Sequence, residues 1–131
     1  MTTADTNVVV RLLVGDDPEQ SARARAFFAD EGRGIIILNT VLLETEWVLR
    51  AAYSFGRAEV VAALRRLLGL PNVRAEAPER AAFALAWHLD GLDFADALHL
   101  AGSQHARALK TFDEGLASAA AGRGTCPAEL L

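Results

Sequence analysis

Five acidic residues stand where a parallel α/β protein often places the groups that do chemistry. Asp5 and Asp113 each follow a segment predicted to be a strand, Asp93 and Asp96 open a predicted helix, and Glu44 lies within another. In open α/β sheets, ligands bind beyond the carboxyl ends of the strands. Mg²⁺ and Mn²⁺ prefer oxygen ligands, and a cation relieves the repulsion between clustered carboxylates. The placement of these acids therefore predicts a divalent-cation site.

Helical phase separates Glu44 from its neighbour Glu46. At about 100° per residue, the stripe that contains Glu44 is otherwise apolar, and Glu46 falls on the opposite side. The stripe comprises Val41, Glu44, Trp47, Val48 and Ala51. Glu46 lies one turn before Arg50, in the order that favours an exposed ion pair. We expect Glu46 to be solvated and Glu44 to face inward. Since burying an unpaired carboxylate costs several kcal/mol, an inward Glu44 must be paired, protonated or bound to a metal ion.

A cation held by these acids would activate a water molecule and stabilise the charge on a phosphoryl group during in-line attack. Such chemistry explains how an acidic protein, with 13 basic and 17 acidic residues and a formal net charge of −4, could cut a polyanion. Helix capping is the competing explanation, because aspartate is favoured at N-caps and in first turns. It applies to Asp5, Asp93, Asp96 and Asp113. An α/β interaction module whose acids only cap helices is therefore the alternative.

Other catalytic groups are poorly supported. The three histidines, His88, His99 and His105, lack zinc-site spacing and are interpreted as helix-surface residues; His99, one turn after Asp96, is the one to test. No nucleophile elbow, phosphate-binding loop or dinucleotide-binding glycine motif is present. A single cysteine, Cys126, excludes an intrachain disulfide and indicates a reducing compartment. No apolar run approaches the roughly 20 residues of a membrane span, so we expect a cytoplasmic protein.

The elements that must position the acids alternate along the chain. With 131 residues, 52% of them hydrophobic, the sequence predicts a single domain over residues 1–131 with a substantial core. Strands are predicted at residues 2–4, 35–38, 108–112 and in the tail, and helices at 6–14, 18–30, 40–53, 57–68, 78–88, 93–107 and 114–120. This alternation predicts an α/β fold with a short, mainly parallel sheet flanked by helices. Residues 35–38 are continuously apolar, which is typical of a strand buried on both faces.

Four segments, in order, resemble the PIN domain, and in particular the VapC-type toxins of bacterial toxin–antitoxin modules. They are DTNVVVRLL at residues 5–13, LETEWVL at 43–49, LDFADAL at 92–98 and TFD at 111–113. The resemblance implies a Mg²⁺- or Mn²⁺-dependent endoribonuclease, usually a homodimer, that a cognate antitoxin silences by wrapping over it. It also implies site residues. The family's acids fall on Asp5, Glu44, Asp96 and Asp113, with Asp93 as a frequent additional acid and hydroxyl groups at Thr6 and Thr111.

Two other phosphoryl-transfer families fit less well. A haloacid-dehalogenase-type phosphatase needs an aspartate two residues after its nucleophile, and Asn7 occupies that place here. A phosphoacceptor signalling domain needs two adjacent acids after its first strand, whereas Asp5 stands alone.

The predicted helix at residues 57–68 has more apolar residues than one narrow stripe requires. They are Val60, Val61, Leu64, Leu67 and Leu68. A contiguous exposed apolar patch usually marks a binding surface, and the resemblance suggests antitoxin or dimer contacts there. Packing of the whole helix against the sheet is the alternative.

Overall fold

The apolar segment at residues 35–38 forms the central strand of a parallel sheet. In the computed structural model, which describes residues 1–131, β2 (Ile35–Ile37) pairs with β1 (Thr2–Thr3) on one side and β3 (Val73–Ala75) on the other. Ile35 lies opposite Thr2 of β1 and Val73 of β3. Ile35 and Ile37 are fully buried, as expected for a central parallel strand.

Seven helices surround or connect the strands, so the fold is α/β as predicted. The helices are α1 (Thr6–Val14), α2 (Pro18–Ala29), α3 (Asn39–Tyr53), α4 (Arg57–Leu68), α5 (Pro78–Leu89), α6 (Phe94–Gly102) and α7 (Glu114–Ala119). The start of α2 follows the predicted capping chemistry, because Asp17 accepts a hydrogen bond from Gln20 N at 3.0 Å and Pro18 occupies the first turn. Gly15, at a φ of 73°, ends α1 in the left-handed conformation that glycine adopts without strain. None of these helices combines the length and the apolar character needed to cross a membrane.

The chain divides into two compact units, Met1–Pro78 and Glu79–Leu131. The first contains the three-stranded sheet with α1 to α4. The second contains α6, α7 and nearly all of α5, together with a two-stranded parallel sheet of β4 (Leu109–Thr111) and β5 (Ala128–Leu130). The predicted tail strand is therefore confirmed. The grouping of residues 1–131 into a single domain stays a prediction.

One strand and one helix boundary differ from the prediction. β3 was not expected, because its three residues carry a charged Arg74 between two buried neighbours and give little periodicity. The helix predicted to reach residue 107 ends at Gly102. There, Ser103 Oγ donates to the His99 carbonyl at 2.7 Å and Gln104 Nε2 donates to the Leu100 carbonyl at 2.8 Å, so side chains satisfy carbonyls that further helical turns would have bonded.

The predicted phase of α3 is wrong. The buried residues of this helix are Val41, Leu42, Thr45, Glu46 and Leu49. Glu44 is exposed, and Trp47, which was expected in the core, is 58% exposed. Glu46, expected in solvent, is only 3% exposed. Its carboxylate accepts a hydrogen bond from Arg50 Nε at 2.8 Å, and this ion pair makes burial of the charge tolerable.

The predicted partner surface on α4 is also wrong. Val60, Val61, Leu64 and Leu67 are each at most 1% exposed, and Leu68 is half-buried. These side chains belong to the core of the first unit. The surplus of apolar residues on α4 is explained by helix faces that pack inside this unit, which is the alternative that the sequence left open.

Candidate functional site

The first unit holds two of the predicted site acids, Asp5 and Glu44. Asp5 caps α1, since its Oδ1 accepts a hydrogen bond from Val8 N at 3.2 Å. Its second oxygen, Oδ2, has no hydrogen-bond partner. Glu44 is exposed and its carboxylate makes no hydrogen bond or ion pair. Both acids therefore keep carboxylate oxygen atoms available to a cation. Thr6, the hydroxyl residue next to Asp5, is buried.

A pocket of about 540 Å³ adjoins Asp5 in the same unit. Side chains of α1 and α2 form most of its wall, and Arg11 and Arg23 are its two cationic residues. Neither arginine was predicted as a site residue. Arg11 lies in the segment at residues 5–13, where only Asp5 and Thr6 were marked, and α2, which carries Arg23, shows no motif and has charges typical of a solvated face. The signal that identifies them is spatial, namely their position around an aspartate that the resemblance had already marked.

The second unit holds the other three acids, and two of them cap helices. Asp93 Oδ2 accepts a hydrogen bond from Asp96 N at 3.2 Å at the start of α6. Asp113 Oδ1 accepts one from Leu116 N at 3.1 Å at the start of α7. Thr111 Oγ1 accepts a hydrogen bond from Asp113 N at 2.9 Å, so the predicted hydroxyl residue orients the turn that carries Asp113.

Asp96 differs from the two capping aspartates. Its carboxylate is half-buried and accepts no hydrogen bond. Burial raises the pKa of Asp96, and the nearby carboxylates of Asp93 and Asp113 raise it further, while His99 acts in the opposite direction. The charged form of this side chain is therefore disfavoured in the folded protein. A cation beside it would remove that penalty.

The donor atoms in the two units fit a hard divalent cation. Each predicted acid has at least one carboxylate oxygen without a hydrogen-bond partner, and carboxylate oxygen is what Mg²⁺ and Mn²⁺ prefer. Neither unit alone brings together three His, Cys, Asp or Glu side chains in positions to hold an ion. The convergence of Asp5, Glu44 and Asp96 in one crevice, with Asp113 nearby, stays a prediction.

The histidines divide into one buried and two exposed residues. His88 was expected on a helix surface, but it is only 4% exposed. Its Nδ1 donates to the Leu92 carbonyl at 2.8 Å, and its ring lies 5.2 Å from that of Phe94. This contact joins the end of α5 to the start of α6, so the role of His88 is structural. His99 and His105 are exposed, as predicted.

Comparison with known proteins identifies the family. The family model described as the PIN domain matches residues 3–122, which span both units. Searches of curated proteins and of solved structures gave no significant match to this chain. The family match covers most of the chain and includes all five predicted site acids. The chain therefore belongs to the PIN domain family.

Proposed function

We propose that this protein is a divalent-metal-dependent endoribonuclease that hydrolyses RNA phosphodiester bonds. PIN domains are generally nucleases, and those nucleases generally use divalent metals. In the proposal, Asp5, Glu44, Asp96 and Asp113 hold Mg²⁺ or Mn²⁺, with Asp93 as an additional acid.

The observation that supports catalysis over simple capping is the environment of Asp96. Asp5, Asp93 and Asp113 do cap helices, which is what an interaction module with purely structural acids would also show. Asp96 caps nothing, is half-buried, and lies beside two carboxylates that raise its pKa. Its place in the first turn of α6 favours a negative charge, yet burial and those two carboxylates still raise its pKa. A cation site would offset this penalty, since the cation compensates the repulsion.

In the proposed mechanism, the cation and the side chains have different roles. A bound cation would supply an activated water molecule and would stabilise the charge that develops on the phosphoryl group. The capping hydrogen bonds to Asp5 and Asp113 fix one oxygen of each carboxylate and leave the other for a ligand. The hydrogen bond between Asp113 N and Thr111 Oγ1 holds the backbone at that turn. These contacts orient the acids before the substrate binds.

The decisive experiment measures cleavage of a labelled single-stranded RNA by the purified protein in Mg²⁺, in Mn²⁺ and in EDTA. We expect cleavage with either cation, none in EDTA, and none by Asp96→Asn with either cation. A protein that cleaves no RNA, and whose melting temperature does not respond to Mg²⁺, would support the interaction module instead.

The finer biological proposal is that the protein is a VapC-type toxin, acts in the cytoplasm as a homodimer and is inhibited by a cognate antitoxin. It is supported by the four segments that resemble those toxins. A small upstream reading frame that encodes a DNA-binding antitoxin is expected beside its gene. Expression of the protein alone should arrest growth, and co-expression of that neighbour should restore it. Light scattering tests the dimer. Growth that is unaffected by the active nuclease would indicate a housekeeping enzyme.

A further inference from the structure

The pocket beside Asp5 lies between the first two helices of the chain. Its volume of about 540 Å³ is in the range of small-molecule binding sites. Its lining residues are Thr3, Ala4, Asp5, Asn7, Val8, Arg11, Gln20, Arg23, Ala24 and Phe27, all of which belong to the first unit. The pocket therefore combines a predicted cation ligand with polar, cationic and aromatic side chains that the proposed chemistry has not yet used.

The pocket wall has two arginines, Arg11 and Arg23, and one acid, Asp5, in a chain with a formal net charge of −4. Arg11 forms an ion pair with Asp16 at 3.3 Å, so Arg23 is the cation of the wall whose charge remains available. A bound cation at Asp5 would add positive charge to the region. An anionic group is therefore the ligand that this wall favours.

The two arginines differ in their hydrogen bonding within the protein. Arg11 Nε donates to Gln20 Oε1 at 2.7 Å, and Arg11 Nη1 bonds Asp16 Oδ1 at 3.3 Å. Its guanidinium is thus held in place and links α1 to α2. Arg23 is exposed and makes no hydrogen bond or ion pair within the protein. Arg23 therefore has all of its donors available for a ligand.

The remaining wall contributes an apolar surface and further donors. The half-buried ring of Phe27 packs edge-to-face on Phe28, with centroids 5.2 Å apart, and the Arg33 guanidinium lies over it, 5.2 Å from the ring centroid; both contacts hold the ring in position. The Gln20 side-chain amide uses its oxygen for Arg11 and keeps its N–H groups unpaired. An arginine for a phosphate, an amide for polar edges and an aromatic wall for a base or ribose are the groups that a nucleotide requires.

We propose that this pocket binds a nucleotide of the RNA strand adjacent to the scissile bond, with Arg23 contacting its phosphate. The inference rests on the proposed function, since it takes Asp5 to lie at the cleavage centre. A phosphodiester strand could interact with both Arg23 and Asp5. One phosphate would contact Arg23, and the next would lie near the cation site at Asp5. An acidic protein segment would match Arg23 alone, since it has no base or ribose to place against Phe27 and Gln20.

The test compares Arg23→Gln with Arg25→Gln. Arg25 lies two residues further along α2, is equally exposed and unpaired, and is not part of the pocket wall, so it controls for the loss of one positive charge. Binding of a fluorescent single-stranded RNA is measured by anisotropy in EDTA, where no cleavage occurs. We expect Arg23→Gln to weaken binding about tenfold and to reduce the slope of log affinity against log salt by about 0.7. Arg25→Gln should stay within about twofold of the wild type.

Cleavage kinetics in Mg²⁺ separate this inference from the function on which it rests. We expect Arg23→Gln to raise KM about tenfold with kcat unchanged, because the contact is made in the ground state and the transition state alike. Equal behaviour of the two arginine variants in an active nuclease would overturn the pocket assignment alone. Arg23-dependent RNA binding without any wild-type cleavage would overturn the nuclease and leave the pocket standing. If Arg23→Gln weakens binding of an acidic protein partner but not of RNA, the pocket assignment is wrong.

Discussion

Glu46 in α3 and Asp96 in α6 are both buried or half-buried acids, but the charges around them are opposite in sign. Glu46 is almost fully buried and pairs with Arg50 at 2.8 Å. Asp96 is less buried, but burial and then the carboxylates of Asp93 and Asp113 raise its pKa. The first acid has its compensating charge within the protein. The second has no ion pair within the protein, and of the charged groups around it only His99 lowers its pKa.

This difference shows that burial alone does not identify a functional acid. The more buried carboxylate, Glu46, belongs to the stabilising framework of the first unit because its partner is an arginine on the same helix. The less buried one, Asp96, is the stronger candidate for chemistry because its surroundings disfavour its charge. Perturbed titratable groups of this kind cluster at active sites, although structural ion pairs can also perturb them. The charge of the neighbouring side chains therefore distinguishes the two acids.

The largest expected effect follows from removing the charge of Asp96. Asp96→Asn should lower RNA cleavage in saturating Mg²⁺ by at least about 100-fold, because loss of a group that merely supports a metal ligand already costs 10- to 100-fold. The metal-free variant should be as stable as the wild type or slightly more stable, since the repulsion with Asp93 and Asp113 is gone. Cleavage assays and urea unfolding in EDTA provide the two measurements.

Glu79→Gln is the matched control for that variant. Glu79 is an exposed acid in the first turn of α5, so its replacement removes the same charge from a similar helical position in the same unit. It should cleave RNA like the wild type. Equal activity of Asp96→Asn and Glu79→Gln would show that Asp96 takes no part in the reaction.

The second prediction compares the two glutamates of α3. Glu46→Gln should destabilise the protein by about 1–3 kcal/mol, because it replaces a buried charged hydrogen bond with a neutral one. Glu44→Gln should change the free energy of unfolding by less than about 0.5 kcal/mol, since Glu44 is exposed and unpaired, yet it should abolish cleavage. Urea unfolding and cleavage at a temperature where both variants are folded make the comparison. The reverse pattern would assign the catalytic role to Glu46.

The fold was largely predictable because its signals are local. Asp17 with Pro18 marked the start of α2, Gly15 marked the end of α1, and a run of isoleucines marked β2. β3 escaped prediction because three residues with Arg74 at the centre give no pattern, and its strand character depends on pairing with β2. Such long-range pairing cannot be predicted from the residues of the segment alone.

The identity of the proposed site residues stays a prediction, and the environment of several residues around them could not be predicted from the sequence. Helical phase placed Trp47 inside and Glu46 in an exposed ion pair with Arg50. The ion pair forms, but Glu46 is buried and Trp47 is exposed, so both placements were wrong. The proximity of Asp96 to Asp113, 17 positions further along the chain, appears only once the second unit is folded. The proposed role of Arg23 likewise depends on the packing of α2 against α1, and no sequence motif predicts that packing.

The third prediction concerns the effect of Mg²⁺ on the melting temperature. Mg²⁺ should raise the melting temperature of the wild type, because a ligand that binds the folded state stabilises it by RT ln(1 + [L]/Kd), about 1.4 kcal/mol at ten times Kd. For a domain of this size the increase is a few degrees. Asp96→Asn should lose most of this increase and Glu46→Gln should keep it, starting from a lower melting temperature. An identical response of both variants would place the cation elsewhere.

The smallest predicted effect is the contribution of Asp96 to the pH dependence of stability. The pKa of Asp96 in the folded protein lies above the usual 3.8 because of burial and the neighbouring carboxylates, so the folded state binds this proton more tightly than the unfolded state does. As the pH falls through the raised pKa toward 3.8, the wild type should therefore gain stability relative to Asp96→Asn, and above the raised pKa the relative penalty is complete. Urea unfolding in EDTA at steps from about pH 4 to 7.5 measures this difference, with Glu79→Gln as the reference variant. The opposite slope would mean that Asp96 is stabilised in its charged form, as a paired acid is, and the distinction between Asp96 and Glu46 would fail.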